Sequence, residues 1–197
     1  MIYDPQMTLR AARALLFERS RFGVDGGYEE RWIKVKWWRI PIWLPNTQGR
    51  RKAVRLHDLH HVLTEYPTTW RGEAEISAWE ISAGGLHRYY AGWVLDLMNL
   101  AQGLIINPGG TYRAFMRGRQ SANLFRTEFS DELLSQSVGE YRRRLRLHEE
   151  PVPASWRDRL AFVTWVFAGI GTYLGAVLLT LAPLMLLVTA FLLLVRT

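Results

Sequence analysis

The run His57-Asp58-Leu59-His60-His61, with Glu73 downstream, is where metal-binding side chains gather in this sequence at a usable spacing. Three of the five histidines stand here. His57 and His61 are four residues apart, so on a helix they share a face and can point ring nitrogens at one ion, the geometry that zinc proteases use. Pro67 interrupts the run, and Glu73 is therefore expected to return on a second helix packed against the first. Two imidazoles and one or two carboxylates make a nitrogen/oxygen set suited to Zn²⁺, or to Fe²⁺ or Mn²⁺. Residues adjacent on a helix project about 100° apart, so Asp58 is read either as a ligand or as a partner that orients one. His60 falls between the faces and is expected to make a hydrogen bond or cap the pocket. Glu75 and Glu80 read as surface charges, Glu80 being the better placed of the two, two turns beyond Glu73 on its face. The plain alternative for the whole group is a solvated helix face.

The elements that must position these residues are mostly helical. Thr8 to Arg21 has apolar residues at helical intervals and ends at the glycines of 23–27. Arg31 to Leu44 carries Trp32, Trp37, Trp38 and Trp43 among β-branched residues, with Pro41 and Pro45 excluding a helix through its second half, and predicts a short β-hairpin. Pro45-Asn46-Thr47 opens the helix that bears the histidines. Further helices are expected from about Gly72 to Ala83, stopping at Gly84-Gly85, and from Leu86 to about Leu104, ending at Asn107-Pro108-Gly109-Gly110. Arg113 to Arg126 continues in helical character. Ser130-Asp131-Glu132 reads as an N-cap with acids in the first turn of a helix that closes with the arginines of 142–146.

From Ala161 to Val195 there is no charged residue and no histidine. A continuous helix of that length would reach roughly 50 Å, well beyond the roughly 30 Å of a bilayer's hydrocarbon. Gly169, Gly171, Gly175 and Pro183 offer bends, and Arg157, Arg159 and Arg196 flank the segment. The expectation is a transmembrane helical hairpin with both ends inside, and a single tilted span is the alternative. The fold class read from the sequence is thus mainly α: a helical bundle with a short Trp-rich β-hairpin near the N-terminus and a C-terminal transmembrane helical hairpin. Two regions are expected, a helical metal-binding domain over 1–160 and a membrane-anchoring segment over 161–197. The first 20 residues lack the apolar core of a signal peptide, so the body is expected on the cytoplasmic side of the cell inner membrane.

The net charge of +7 and pI near 10.0 invite a nucleic-acid reading. The arginines near the charge-free segment instead suit an anionic leaflet, which attracts such clusters by about 1 kcal/mol per basic residue. With no zinc-finger or helix-turn-helix pattern, membrane lipid is the expected partner and nucleic acid is not. There is no cysteine, so thiolate metal sites and disulfides are excluded.

The stretch from His57 to Glu80, HDLHHVLTEYPTTWRGEAEISAWE, resembles the motif of the fourth-numbered COQ family of ubiquinone (coenzyme Q) biosynthesis proteins, HDxxH, eleven residues, then Glu. His57, Asp58, His61 and Glu73 match it, and the flanking Val62-Leu63-Thr64, Pro67-Thr68-Thr69 and Gly72 agree. The resemblance implies an all-helical, zinc-binding, membrane-associated protein with an apolar channel for a polyprenyl tail. It implies all four matched residues as the metal set and a prenylated quinone precursor as the ligand. The eukaryotic member is linked to removal of the ring carboxyl group with hydroxylation at the same carbon, and to organising other quinone-biosynthesis enzymes. This chain departs from the family in its short region ahead of the motif and in its charge-free C-terminal segment, as a divergent bacterial branch with its own anchor would. Arg71 or Arg88 could then pair with a substrate carboxylate. Trp79, Tyr89, Tyr90 and Trp93 would line the tail pocket, or else form an ordinary core or interfacial belt.

Two other enzyme classes fail on histidine count and order. By family resemblance, membrane di-iron hydroxylases use roughly eight histidines to hold two irons, and this chain has five. Phosphohydrolases of the histidine-aspartate type need a histidine upstream of the pair, and His57 is the first here. The rival that survives is a non-catalytic membrane scaffold whose metal is structural. Metal-dependent hydroxylation of another lipid is the remaining alternative.

Overall fold

The computed structural model describes residues 2–23, 25–37, 40–147 and 153–196, with the backbone alone at 34–37, 40–42, 44, 184, 190, 195 and 196. Eight helices and one two-stranded ribbon occur among the described residues. α1 (Leu9–Ser20) starts where the Thr8 hydroxyl accepts from the Ala11 amide, and ends at Arg21 in the left-handed conformation. β1 (Trp32–Trp37) and β2 (Ile40–Pro45) pair antiparallel, with Trp32 opposite Pro45 and Trp37 opposite Ile40. The residues joining them, Trp38 among them, lie outside the described residues. Trp32 and Trp43 are half exposed, so this ribbon stands off the core.

α2 (Gln48–Thr64) and α3 (Trp70–Ser82) carry the metal motif, each with a threonine N-cap, Thr47 and Thr69. The tight connection between them folds back on the first turn of α3 at Gly72, where a Cβ would collide with the Pro67 carbonyl oxygen. α4 (Tyr90–Ile106) and α5 (Pro108–Gly118) turn back on one another at Asn107, whose side chain caps α5 and donates to Glu75. Close approach of α4 to its neighbours depends on Gly103, which lies against Ala74 and Thr111.

Two expectations for the later helices are corrected. The helix expected over 113–126 ends at Gly118, after which the chain turns; there the Leu124 amide donates to the buried His60 ring. The helix expected from Ser130 to the arginines is two short ones, α6 (Asp131–Ser135) and α7 (Val138–Arg144), because Gln136 and Ser137 are extended and pair with the segment before α1 through Thr8 and Ser137. The core runs through the middle of these helices, with Leu9, Leu56, Leu59, Leu63, Trp79, Phe115 and Leu124 fully covered.

The transmembrane helical hairpin is also corrected. α8 (Trp156–Arg196) is one continuous helix of 41 residues with Pro183 inside it. Its first half lays one face on the body, while Val163, Phe167, Ile170 and Leu174 on the other face stay exposed. Trp165 stacks on Trp93 at 5.3 Å, Phe162 meets Tyr112 and Phe115 edge-on, and Gly169 lies against the Leu97 carbonyl. The charge-free length that looked too long for one span is therefore shared between a half with one face on α4 and α5 and a half exposed all round. The helix also begins before 161, where Asp158 in its first turn pairs with Arg119. It is long and apolar enough to cross a membrane.

Candidate metal centre

His57 and His61 project from one face of α2 toward Glu73, in the first turn of α3. His57 Nε2 and His61 Nε2 are 3.1 Å apart, and Glu73 offers Oε2 at 3.5 Å to the first and Oε1 at 3.3 Å to the second. One donor atom from each of the three residues falls within 4.8 Å of the others, a group that could hold a metal ion. This is the convergence expected of an i, i+4 pair and a carboxylate returning on the next helix.

The other ring nitrogens decide what that convergence means. His61 Nδ1–H donates to the Tyr66 carbonyl at 2.8 Å, and His57 Nδ1–H donates to Glu80 Oε1 at 2.9 Å. With both Nδ1 hydrogens engaged, the neutral rings present bare Nε2 lone pairs to one another and to Glu73. Three acceptors facing each other without a hydrogen repel, and a cation among them relieves that. Metal-bound imidazoles are held in just this manner, with the outer nitrogen donating to a carboxylate or a carbonyl. The donor set therefore fits a divalent ion of zinc, iron or manganese type, and does not select among them. Side chains at the site keep some access to solvent, 20% for His57 and 29% for Glu73. Three protein donors with an accessible side is the arrangement of a site that keeps a position for a further ligand.

In the metal-free protein a proton stands in for the cation. Burial alone would lower the His57 pKa, but the Glu80 charge and the hydrogen bonds to Glu73 and Glu80 raise it well above the ordinary 6.5. Burial would raise Glu73, and the two histidine hydrogen bonds instead bring it down to about 2.

Glu80 is the main residue that sequence reasoning misplaced. It is fully buried rather than a surface charge, because α3 turns this face into the core, and one oxygen accepts from both His57 and His60. His60 makes the hydrogen bonds expected of it. It donates from Nδ1 to Glu80 and accepts at Nε2 from the Leu124 amide, and burial lowers its pKa. Asp96 of α4, with no signal in the sequence, lies against Glu80; burial first, and then the Glu80 charge, raise its pKa well above the carboxylate range. Neither Glu80 Oε2 nor Asp96 Oδ2 has a hydrogen-bond partner among the described residues. Two neighbouring buried carboxyls disfavour double ionisation, and it is the Asp96 carboxyl that is pushed toward its neutral form. Ser77 and Asn99 complete this chain of polar groups.

Asp58 is not in the converging group. Its carboxylate accepts from the Tyr28 hydroxyl at 2.5 Å, in a buried position behind the histidines. Burial raises the Asp58 pKa and, together with the Asp58 charge, the Tyr28 pKa. Glu75 is partly covered and accepts from Asn107.

The six residues considered for substrate binding are not brought together. Trp79 is fully buried, edge-on to the His60 ring, with its indole N–H on Ser121. Trp93 is occupied by Trp165, Tyr90 is 79% exposed, and Arg71 is exposed at the start of α3. Arg88 and Tyr89 line a separate groove of about 520 Å³ with Lys52, Arg55, Phe125 and Phe129.

Comparison of the chain with protein-family models, with curated proteins and with solved structures gives no match.

Proposed function

We propose that this is a membrane-anchored metal protein of ubiquinone (coenzyme Q) biosynthesis that acts on, or presents, a polyprenylated aromatic precursor. The observation that carries the proposal is the pair of bare Nε2 atoms facing Glu73, each ring locked from behind by a fixed acceptor. The resemblance of the His57–Glu80 stretch to the quinone-biosynthesis motif supplies the substrate class, and α8 supplies a membrane in which such a substrate dissolves. When bound, a divalent cation would polarise a hydroxyl or carboxylate of the ring head group. The protein's own part is to hold His57 and His61 in one tautomer, to keep Glu73 ionised and to bury the Glu80–Asp96 pair behind them. The accessible side of the site favours a role that exchanges ligands over a closed, purely structural metal. The same reading puts the body on the cytoplasmic face of the inner membrane.

The test is metal content of the detergent-purified chain, followed by incubation with a prenylated aromatic acid under oxygen. About one zinc, iron or manganese per chain, lost in both His57→Ala and Glu73→Ala, is expected, with the acid converted to a decarboxylated, hydroxylated product. Bound acid that stays unchanged would favour a scaffold that presents it. A folded chain without metal would overturn the proposal.

A further inference from the structure

α4 and α8 lie side by side and run in the same direction. Trp93 stacks on Trp165, and Leu97 and Ala101 meet Gly169 one turn further on. That register, carried to the end of α4, brings Ile105 and Ile106 level with Val177 and Leu178. At this level α8 leaves the body, since every described side chain from Leu178 to Leu194 is exposed. The exposed stretch is about 25 Å long, close to the roughly 30 Å of bilayer hydrocarbon. The tip of α4 therefore reaches the plane where α8 would enter the membrane.

That tip is apolar and uncovered. Ile105 is 84% exposed and Ile106 38%. α3 runs opposite to α4, with Ala74 on Gly103 and Ser77 on Asp96, so the start of α3 reaches the same end of the body. There Trp70 is 54% exposed. Arg71 and Arg113, both exposed, adjoin these apolar residues, Arg113 lying against Gly109 in the turn after α4. Tryptophan and isoleucine flanked by arginine is the composition that settles at an anionic bilayer interface.

We infer that Trp70, Ile105 and Ile106 are seated in the interface of the bilayer that α8 crosses, with Arg71 and Arg113 on its anionic head groups. The body is then pressed against the membrane instead of hanging from a tether. Glu73, one turn from Trp70, brings the metal group beside the lipid surface, so an interfacial ligand reaches it with its apolar part still in the bilayer. The inference rests on α8 as a membrane span and adds a second contact to it.

The chain has no cysteine, so introduced thiols report one position each. Trp70→Cys, Ile105→Cys, Leu186→Cys and Arg126→Cys, each in the full chain, would be labelled with an environment-sensitive fluorophore and reconstituted in vesicles of phosphatidylcholine and phosphatidylglycerol. Lipids bearing nitroxides at shallow or deep positions are the quenchers. Expected are severalfold losses of emission at 70 and 105 with shallow nitroxides, at 186 with deep ones, and none at 126. Aqueous probes at 70 and 105, with 186 quenched, would overturn the seated body and leave the span intact. An aqueous probe at 186 would overturn the span itself, and the inference with it.

Discussion

His57 sits between two carboxylates, and its proton and a metal ion compete for the same Nε2. Because its pKa lies well above 6.5 in the metal-free chain, the competition extends above the ordinary imidazole range. Below the His57 pKa the site must lose a proton to gain a metal, so apparent affinity should rise about tenfold per pH unit and level off once His57 is neutral. Zinc titrations against a chromogenic chelator at a series of pH values would check this; an affinity that does not change with pH would show that His57 is not a ligand. The same logic separates the two buried carboxyls. Glu80 accepts from two histidines as an anion, so Glu80→Gln should cost roughly 10- to 100-fold in metal affinity. Asp96 is pushed toward its neutral form by burial and the Glu80 charge, and Asp96→Asn keeps a donor toward Glu80, so its metal affinity should stay close to that of the parent. Equal losses in the two variants would remove the distinction drawn between them. The convergence of His57 and His61 was legible in the sequence because i, i+4 spacing is a property of one helix. Glu80 was not, since two turns beyond Glu73 describes a buried and an exposed glutamate equally well. Asp58 was half legible: its place behind the histidines follows from the helix, but its partner Tyr28 arrives from a loop that no periodicity announces.

The metal group depends on how sharply α2 turns into α3, and Gly72 limits that turn. A Cβ there would meet the backbone carbonyl of Pro67, which cannot swing away as a side chain would. Gly72→Ala should therefore destabilise the fold by about 1–3 kcal/mol, and should weaken metal binding as well, because Glu73 is the next residue. Gly49→Ala is the control, with open space around its Cβ and a helical backbone; it should be neutral or stabilising by up to about 1 kcal/mol. Denaturant titration of both variants with and without zinc would separate the effects, and a Gly72→Ala chain as stable as the Gly49→Ala chain would disprove the collision. Helix starts were readable in advance where the signal is local: Thr47 opens α2 and Ser130 caps α6 as expected. What the caps could not convey is where a helix stops for a tertiary reason. The chain leaves helix after Gly118 and delivers the Leu124 amide to His60, a partner 64 residues away in sequence.

At the scale of the whole molecule, the length of the charge-free segment was plain in the sequence, while its division was not. Composition records that no charge occurs from Ala161 to Val195, but it does not record that Phe162, Trp165 and Gly169 are taken up by α4 and α5. Once those turns are assigned to the body, the exposed remainder matches one bilayer crossing, and the reason for folding it into two short helices disappears. A single crossing places the two ends of α8 on opposite sides. Basic residues stand at both ends of α8, Arg157 and Arg159 in its first turns and Arg196 at its end, whereas Arg142 is buried in the body against Val62, Leu63 and Glu65. With two arginines ahead of the exposed half and one after it, the body is expected to stay in the cytoplasm with the end of α8 outside. An epitope tag before Ile2 should be protected from protease in intact spheroplasts, and a tag after Thr197 should be cleaved. Protection of both tags would restore the hairpin and require Pro183 or the glycines of α8 to break the helix. Cleavage of the first tag alone would reverse the orientation and place the His57–His61–Glu73 group on the outer face.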